Sequence, residues 1–173
     1  MLRKPLHMTL PGLCALLLSL SLSSAQAEAP AIVRIPKVPP RPTLDAVLLR
    51  TGTDVLVLSG QTPAPLDPKK IDGPEDFGDT RTQALSVFTA IQKLLEKQGY
   101  SMSDVVKLTV FLVGEPKLDG RADFEALNQV YAQFFGSSTN PNLPARSVVQ
   151  VQALGRVGYR VEIEAIAARA GAR

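Results

Sequence analysis

The sequence predicts an α+β fold: a small β-sheet with two helices packed on one face, in the order β-β-α-β-α-β-β. Three observations lead there. Two stretches carry apolar residues at helical spacing, and each ends at a glycine. A strongly β-prone run, "DVVKLTVFLV" at 104–113, stands between them. Pairs of further Val- and Ile-rich runs flank the whole on both sides, with no internal repeat.

Residues 1–27 read as an export signal. Arg3 and Lys4 form a basic n-region, "LPGLCALLLSLSLSSA" is a short apolar segment, and "AQA" at 25–27 is a small-x-small cleavage signal. The expected product is an exported chain, placed in the periplasm, with no membrane attachment once the signal is removed. Residues 28–45 are rich in proline and read as an extended tail or a strap across a neighbouring surface. "AVLLR" and "DVLVLSG" flank "TGT", a hairpin signal. Residues 61–78, "QTPAPLDPKKIDGPEDFG", have no period and read as a long loop.

Asp79 is a candidate N-cap, followed by Ala84, Val87, Phe88, Ile91, Leu94 and Leu95 on one helix face and by Gly99 as the stop. Phe124, Leu127, Tyr131, Phe134 and Phe135 mark the second helix, closed by Gly136. The Val- and Ile-rich runs on either side of Gly155 and Gly158 read as a closing hairpin, and residues 169–173 as a polar tail.

Loss of the signal removes His7 and Cys14, the one histidine and one cysteine of the sequence. Without thiol or imidazole, a disulfide framework, a Cys–His nucleophile–base pair and an ordinary zinc site are excluded. The net charge of +3 becomes +1 (3 − 2) once Arg3 and Lys4 leave. Any chemistry therefore falls to Arg, Lys, Asp, Glu, Ser, Thr, Asn or Tyr.

The two closing strands carry an arginine and two acids among apolar residues. Val149, Val151 and Ala153 share one face of the first, and Arg146, Val148 and Gln150 the other. In the second, Val161, Ile163 and Ala165 stand opposite Glu162, Glu164 and Ile166. Turning the more apolar face toward the helices puts Arg146, Glu162 and Glu164 on the far face, with Arg146 opposite Glu164 and diagonal to Glu162. The three are either a cross-strand ion pair of about 0.2–1 kcal/mol or a site. "VLVLSG" and "LTVFLV" are apolar on both faces, so the second face needs a cover. Another copy of the chain or the proline-rich tail can supply it.

Several of these stretches resemble a known family. "PARSVVQV" with "VEIEAIA", "VLSGQTP", "GYSMSDVVKLTVFLV" and "DFEALNQVYAQFF" are similar to the reactive-intermediate deaminases, the RidA or YjgF-like family, over residues 46–168. The resemblance implies a chorismate-mutase-like fold, a homotrimer, and ligand clefts between subunits. It implies that Arg146 grips a substrate carboxylate and that Glu162 positions the attacking water. It also implies that Ser59, Gly60, Asn128 and Val148 line the pocket. Val148 stands where the family often has cysteine, and Ala46 where many of its deaminases carry tyrosine.

The implied reaction is hydrolysis of small 2-imino or enamine acids to 2-oxo acids and ammonia, with no metal and no cofactor. The alternative is a trimeric binding protein that holds a small carboxylate or imino acid without turning it over. A near-neutral charge, no tryptophan and no basic run longer than "KK" argue against a nucleic acid partner.

Overall fold

A computed structural model describes residues 29–171; the expected export signal, 1–27, lies outside the described residues. The strands are β1 (Ile32–Pro36), β2 (Leu44–Leu49), β3 (Thr53–Gln61), β4 (Val105–Val113), β5 (Ala145–Val151) and β6 (Val161–Ala170). The helices are α1 (Thr80–Lys97) between β3 and β4, and α2 (Phe124–Phe134) between β4 and β5. Short 3-10 turns at Pro74–Phe77, Met102–Asp104 and Pro116–Leu118 punctuate the connections.

Both helices begin where an aspartate can satisfy an orphan backbone donor. Asp79 accepts from the Thr82 N–H, and Asp123 from the Ala126 N–H. Gly99 and Gly136 follow them at φ 74° and 68°, left-handed values that suit glycine at a helix end. From α1, Ala84, Val87, Phe88, Ile91 and Leu95 are buried; from α2, Leu127, Val130 and Tyr131 join them. Phe88 stacks on Phe134 at 5.1 Å and so links the two helices.

The strand order is β1-β2-β5-β4-β6-β3. β4 runs through the middle, parallel to β5 and antiparallel to β6. Its Leu108, Val110 and Leu112 belong to the core under the helices, while Lys107, Thr109 and Phe111 turn to the other face. That open face is apolar in patches. Val57 is 69% exposed, Val55 48% and Val149 44%.

Four expectations change. The proline-rich stretch, expected as an extended tail or a strap, carries a sheet strand instead: Ile32–Pro36 form β1, antiparallel to β2, and Arg34 donates to the carbonyls of Ser103, Val105 and Leu143. Proline content masked a short alternating strand. At the other end, β6 runs on through Ala170, so Arg169 pairs with Asp54 rather than opening a tail.

β2 and β3 both form but do not pair. Three other strands lie between them, and residues 50–52 alone connect them. Four strand spacings are about 19 Å, more than the roughly 14 Å such a link can span, so the sheet must curl. Its closing end is tied by Arg50 N–H to the Ala31 carbonyl and Gly171 N–H to the Gly52 carbonyl.

β5 and β6 are not a hairpin either, because β4 lies between them. Residues 152–160, longer than the about two to five of a tight hairpin, pass across the end of β4. Gln83, buried in α1, fastens this crossing: its amide donates to the Gly78 and Gly158 carbonyls and accepts from the Arg160 N–H.

Candidate active site

Arg146 is the second residue of β5 and pairs with Leu108 of β4. Its side chain turns toward the helices, not to the open face expected from the sequence. Polarity misleads there because the more apolar face of β5, with Val149 and Val151, is the open one; what receives the guanidinium is α2. Nη2 donates to Asn128 Oδ1 at 2.8 Å, and Cζ lies 4.1 Å from the centre of the Tyr131 ring. Nη1 is buried without a hydrogen-bond partner among the described residues. Burial pushes the Arg146 pKa down and the Tyr131 side chain works the other way, yet a guanidinium stays charged.

Tyr131 is held as firmly as the cation above it. Its hydroxyl donates to the Pro42 carbonyl at 2.9 Å, and its ring stacks on Phe135 at 5.0 Å. Burial raises its pKa to about 12, with Arg146 and Arg34 pulling the other way, so the phenol is neutral. Val148, two residues along β5 from Arg146, packs against the core on the same side. The sequence placed Tyr131 only in the helix core. Its position three residues after Asn128, on the same helical face, was the available signal.

The second group lies on β6. Glu162 pairs opposite Phe111 and turns to the open face with Glu164, as expected. Leu58 pairs with Ala165 and Gln61 with Ile163, so Ser59 and Gly60 together oppose the single residue Glu164. This is a β-bulge, a device that re-aims side chains beside a site. The Glu162 carboxylate lies directly over Gly60: a Cβ there would overlap Oε1 and stand 2.9 Å from Cδ. Only glycine leaves room for this carboxylate.

The structure thus joins Arg146 to Asn128, and Glu162 to Gly60 with Ser59 beside it in the bulge, but it does not join the two groups. Arg146 aligns with Leu108 and Glu162 with Phe111, two strands apart across β4. Three residues along and two strands across put their backbones roughly 14 Å apart, with side chains on opposite faces. The expected pairing of Arg146 with Glu164 is absent for the same reason, since Glu164 pairs with Thr109. Among the described residues the ion pairs are Lys37–Asp45 and Lys117–Glu115, so Arg146 has no carboxylate partner.

This division of residues falls within a recognisable sequence. Residues 46–169 match the family described as Endoribonuclease L-PSP. The chain belongs to that family, the one that includes the RidA and YjgF proteins. A RutC family protein of Pyrococcus horikoshii is 40% identical over 112 residues, 65% of this chain and 77% of that protein. A 2-iminobutanoate/2-iminopropanoate deaminase of Escherichia coli is 35% identical over 116 residues, covering 67% and 80%. The crystal structure of the Escherichia coli YjgF gene product superimposes with a TM-score of 0.53 at 33% identity, over 67% of this chain and 81% of that one. The α+β architecture, with its six-stranded sheet and two helices, is the one found in that structure.

Proposed function

We propose that this protein hydrolyses small 2-imino acids and their enamine tautomers to 2-oxo acids and ammonia, in a cleft between copies of the chain. The observation that carries the reading is the divided site. Arg146 with Asn128 stands on the helix side of the sheet, and Glu162 with Gly60 on the open side. Half-sites that cannot meet within one chain can meet when a second copy covers the open face. The exposed Val55, Val57 and Val149 supply the apolar surface for that cover, and a homotrimer is the closed assembly proposed. The name of the Escherichia coli relative supports the chemistry.

In the assembled cleft the planar substrate carboxylate docks on the Arg146 guanidinium, whose forked donors match it better than an ammonium. That docking fixes the imine carbon. Glu162 of the neighbouring copy takes a proton from water as the oxygen bonds to the imine carbon, and the C=N electron pair moves to nitrogen. Glu162 returns that proton to the nitrogen, which completes the carbinolamine. The same carboxylate then carries the hydroxyl proton to that nitrogen, so that the C–N bond breaks with its electron pair on departing ammonia as the C=O forms. One water enters and one ammonia departs, with no change of oxidation state. Imines hydrolyse unaided in water, so positioning and one acid–base group suffice.

A second reading is a carboxylate-binding protein without turnover, favoured by Ala46 at the position where many of the family's deaminases carry tyrosine. The assay is ammonia release from freshly generated 2-iminopropanoate. Arg146→Ala and Glu162→Gln are each expected to lose about 10²–10⁴-fold in rate. Mixed oligomers of the two variants should regain about a quarter of wild-type activity, because half of each half-site is intact. Wild type no faster than spontaneous hydrolysis on several imino acids leaves the binding role. Recovery absent from the mixture refutes the shared cleft. The protein is proposed to act after export, and mass spectrometry of native envelope material should show a start near Glu28. An intact Met1 overturns that.

A further inference from the structure

We propose that Arg34 is a positioning residue for Arg146: its guanidinium ties the start of β5 to the start of β4 and so fixes where Arg146 presents its donors. The inference rests on the reading of Arg146 as the carboxylate grip. Arg34 lies on β1, paired with Val47 of β2 and two strands away from β5. Its side chain nevertheless reaches the end of the sheet where β4 and β5 both begin. Nη1 donates to the Leu143 carbonyl at 2.6 Å and to the Val105 carbonyl at 3.1 Å, and Nη2 to the Ser103 carbonyl at 2.8 Å. Leu143 stands three residues before Arg146, and Val105 three before Leu108, the residue that Arg146 pairs with. One cation thus clamps two parallel strands at equal depth below the rung that carries Arg146.

That end of β5 has few other ties. The β4 ladder starts at Ala145, which leaves Arg146 on the second rung, where strand ends open most readily. On the other flank, among the described residues, β2 supplies one pair, Leu44 with Ala145, and the Leu44 N–H donates to the Pro144 carbonyl at 3.2 Å. The Arg146 side chain itself is held by one hydrogen bond, to Asn128, and by the Tyr131 ring face. A cation held so lightly takes its aim from its own backbone.

The task suits arginine. Three carbonyls converge on one group, and a guanidinium meets them with donors in a rigid fork, where an ammonium is a compact charge without one. Burial lowers the Arg34 pKa, with Asp104 and Tyr131 working the other way, yet a guanidinium stays charged. All three bonds go to backbone, so what they hold is the path of the chain. The same segment also touches the site through the Pro42 carbonyl, which accepts from the Tyr131 hydroxyl. The Tyr131 ring rests on Phe135 as well, so Arg34 is the tie that acts on β5. Arg34 precedes the family match at residues 46–169, and the tie therefore comes from the segment this chain carries ahead of it.

The test compares Arg34→Ala with Glu115→Ala, a substitution of similar expected stability cost beyond the far end of β4. The assembled proteins are titrated calorimetrically with 2-oxopropanoate below their unfolding range, and kinetics are read on 2-iminopropanoate. Arg34→Ala should weaken binding and raise KM about tenfold, the lower end of what a charge-assisted hydrogen bond contributes, with kcat within about threefold. Glu115→Ala should leave both near wild type. In an Arg146→Ala background, Arg34→Ala should lower kcat/KM no further, because it acts through Arg146. Unchanged affinity in Arg34→Ala, an equal loss in Glu115→Ala, or additive losses with Arg146→Ala overturn the positioning role and leave the grip in place. Failure of wild type to bind 2-oxopropanoate overturns both. The same affinity pattern without turnover supports the role on a protein that binds only. Should Arg34→Ala not fold, Arg34→Lys carries the comparison: binding at least about threefold weaker is expected, and wild-type affinity refutes the proposal. A changed oligomer mass in both Arg34 variants, read by light scattering, would assign Arg34 to assembly and refute it too.

Discussion

Gly60→Ala separates catalysis from folding. The Glu162 carboxylate occupies the space a Cβ would need: the new methyl would overlap Oε1 and stand 2.9 Å from Cδ and 3.1 Å from Cγ. Ordinary contact begins near 3.4 Å, so the carboxylate must retreat by on the order of 1 Å. The obstacle is the far end of a flexible side chain, so the retreat is inexpensive. Gly60 is not among the residues at positive φ, and alanine fits its backbone. A Gly→Ala change at such a position typically stabilises by about 0.4–1 kcal/mol through the unfolded chain. Melting temperature should hold or rise. Rate should not: a misplacement of about 1 Å can cost 10²-fold. In a 2-iminopropanoate assay, kcat/KM should fall about 10²-fold, and Gly60→Ala/Glu162→Gln should be no slower than Glu162→Gln alone, since both act on one group. Activity of Gly60→Ala within about threefold of wild type, or additive losses in the double variant, refute the assignment of Glu162 as the water-positioning group.

Three further outcomes concern the groups that hold the scaffold. Glu115 is 2% exposed and accepts from the Thr80 N–H and hydroxyl while pairing with Lys117 at 3.0 Å. Burial alone would raise its pKa, but the Thr80 and Lys117 bonds and the Arg160 charge outweigh it and hold the carboxyl below 4.5. The stability it gives is present above that value and is lost as pH falls through the lower folded pKa. Glu115→Ala should therefore cost about 1–3 kcal/mol in neutral urea denaturation, and Glu115→Gln should flatten the acid limb of stability against pH; an unchanged limb contradicts the sign. Arg34→Ala strips donors from three carbonyls and should cost at least about 1.5 kcal/mol, with Arg34→Lys recovering little because an ammonium lacks the fork; a loss under about 0.5 kcal/mol means β1 is held by its ladder alone. Tyr131→Phe keeps the ring beneath Arg146 and should cost about 1 kcal/mol of stability with KM for 2-iminopropanoate nearly unchanged, whereas Tyr131→Leu should raise KM. Equal KM values for the two variants dispose of the ring's role.

The helices were legible because their signals are local. Asp79 caps the first, Gly99 and Gly136 end both, and the apolar spacing of each largely matches the residues found buried, except that Phe124 is 43% exposed and the buried Val130 was missed. The strands were legible as strands, but their neighbours were not. A glycine turn looks the same whether its strands pair or straddle a third, and β4 enters between β5 and β6 only because α2 returns the chain parallel to β4. Proline hid β1, whose anchor is a side chain reaching residues 103, 105 and 143.

The face of Arg146 was the costliest misreading, and it bears on function. Amphipathic reasoning assigns the core to the more apolar face, which fails where the open face is itself apolar and awaits another surface. The acceptor and the ring that draw Arg146 to the helix side are Asn128 and Tyr131, nearly one turn apart on α2. Two strands apart across β4 and on opposite faces, Arg146 and Glu162 do not neutralise each other within one chain. The sheet holds them apart. On the proposed reading, that leaves Glu162 free to act on water and leaves the guanidinium, half-buried and without a carboxylate among the described residues, for the one a ligand would bring.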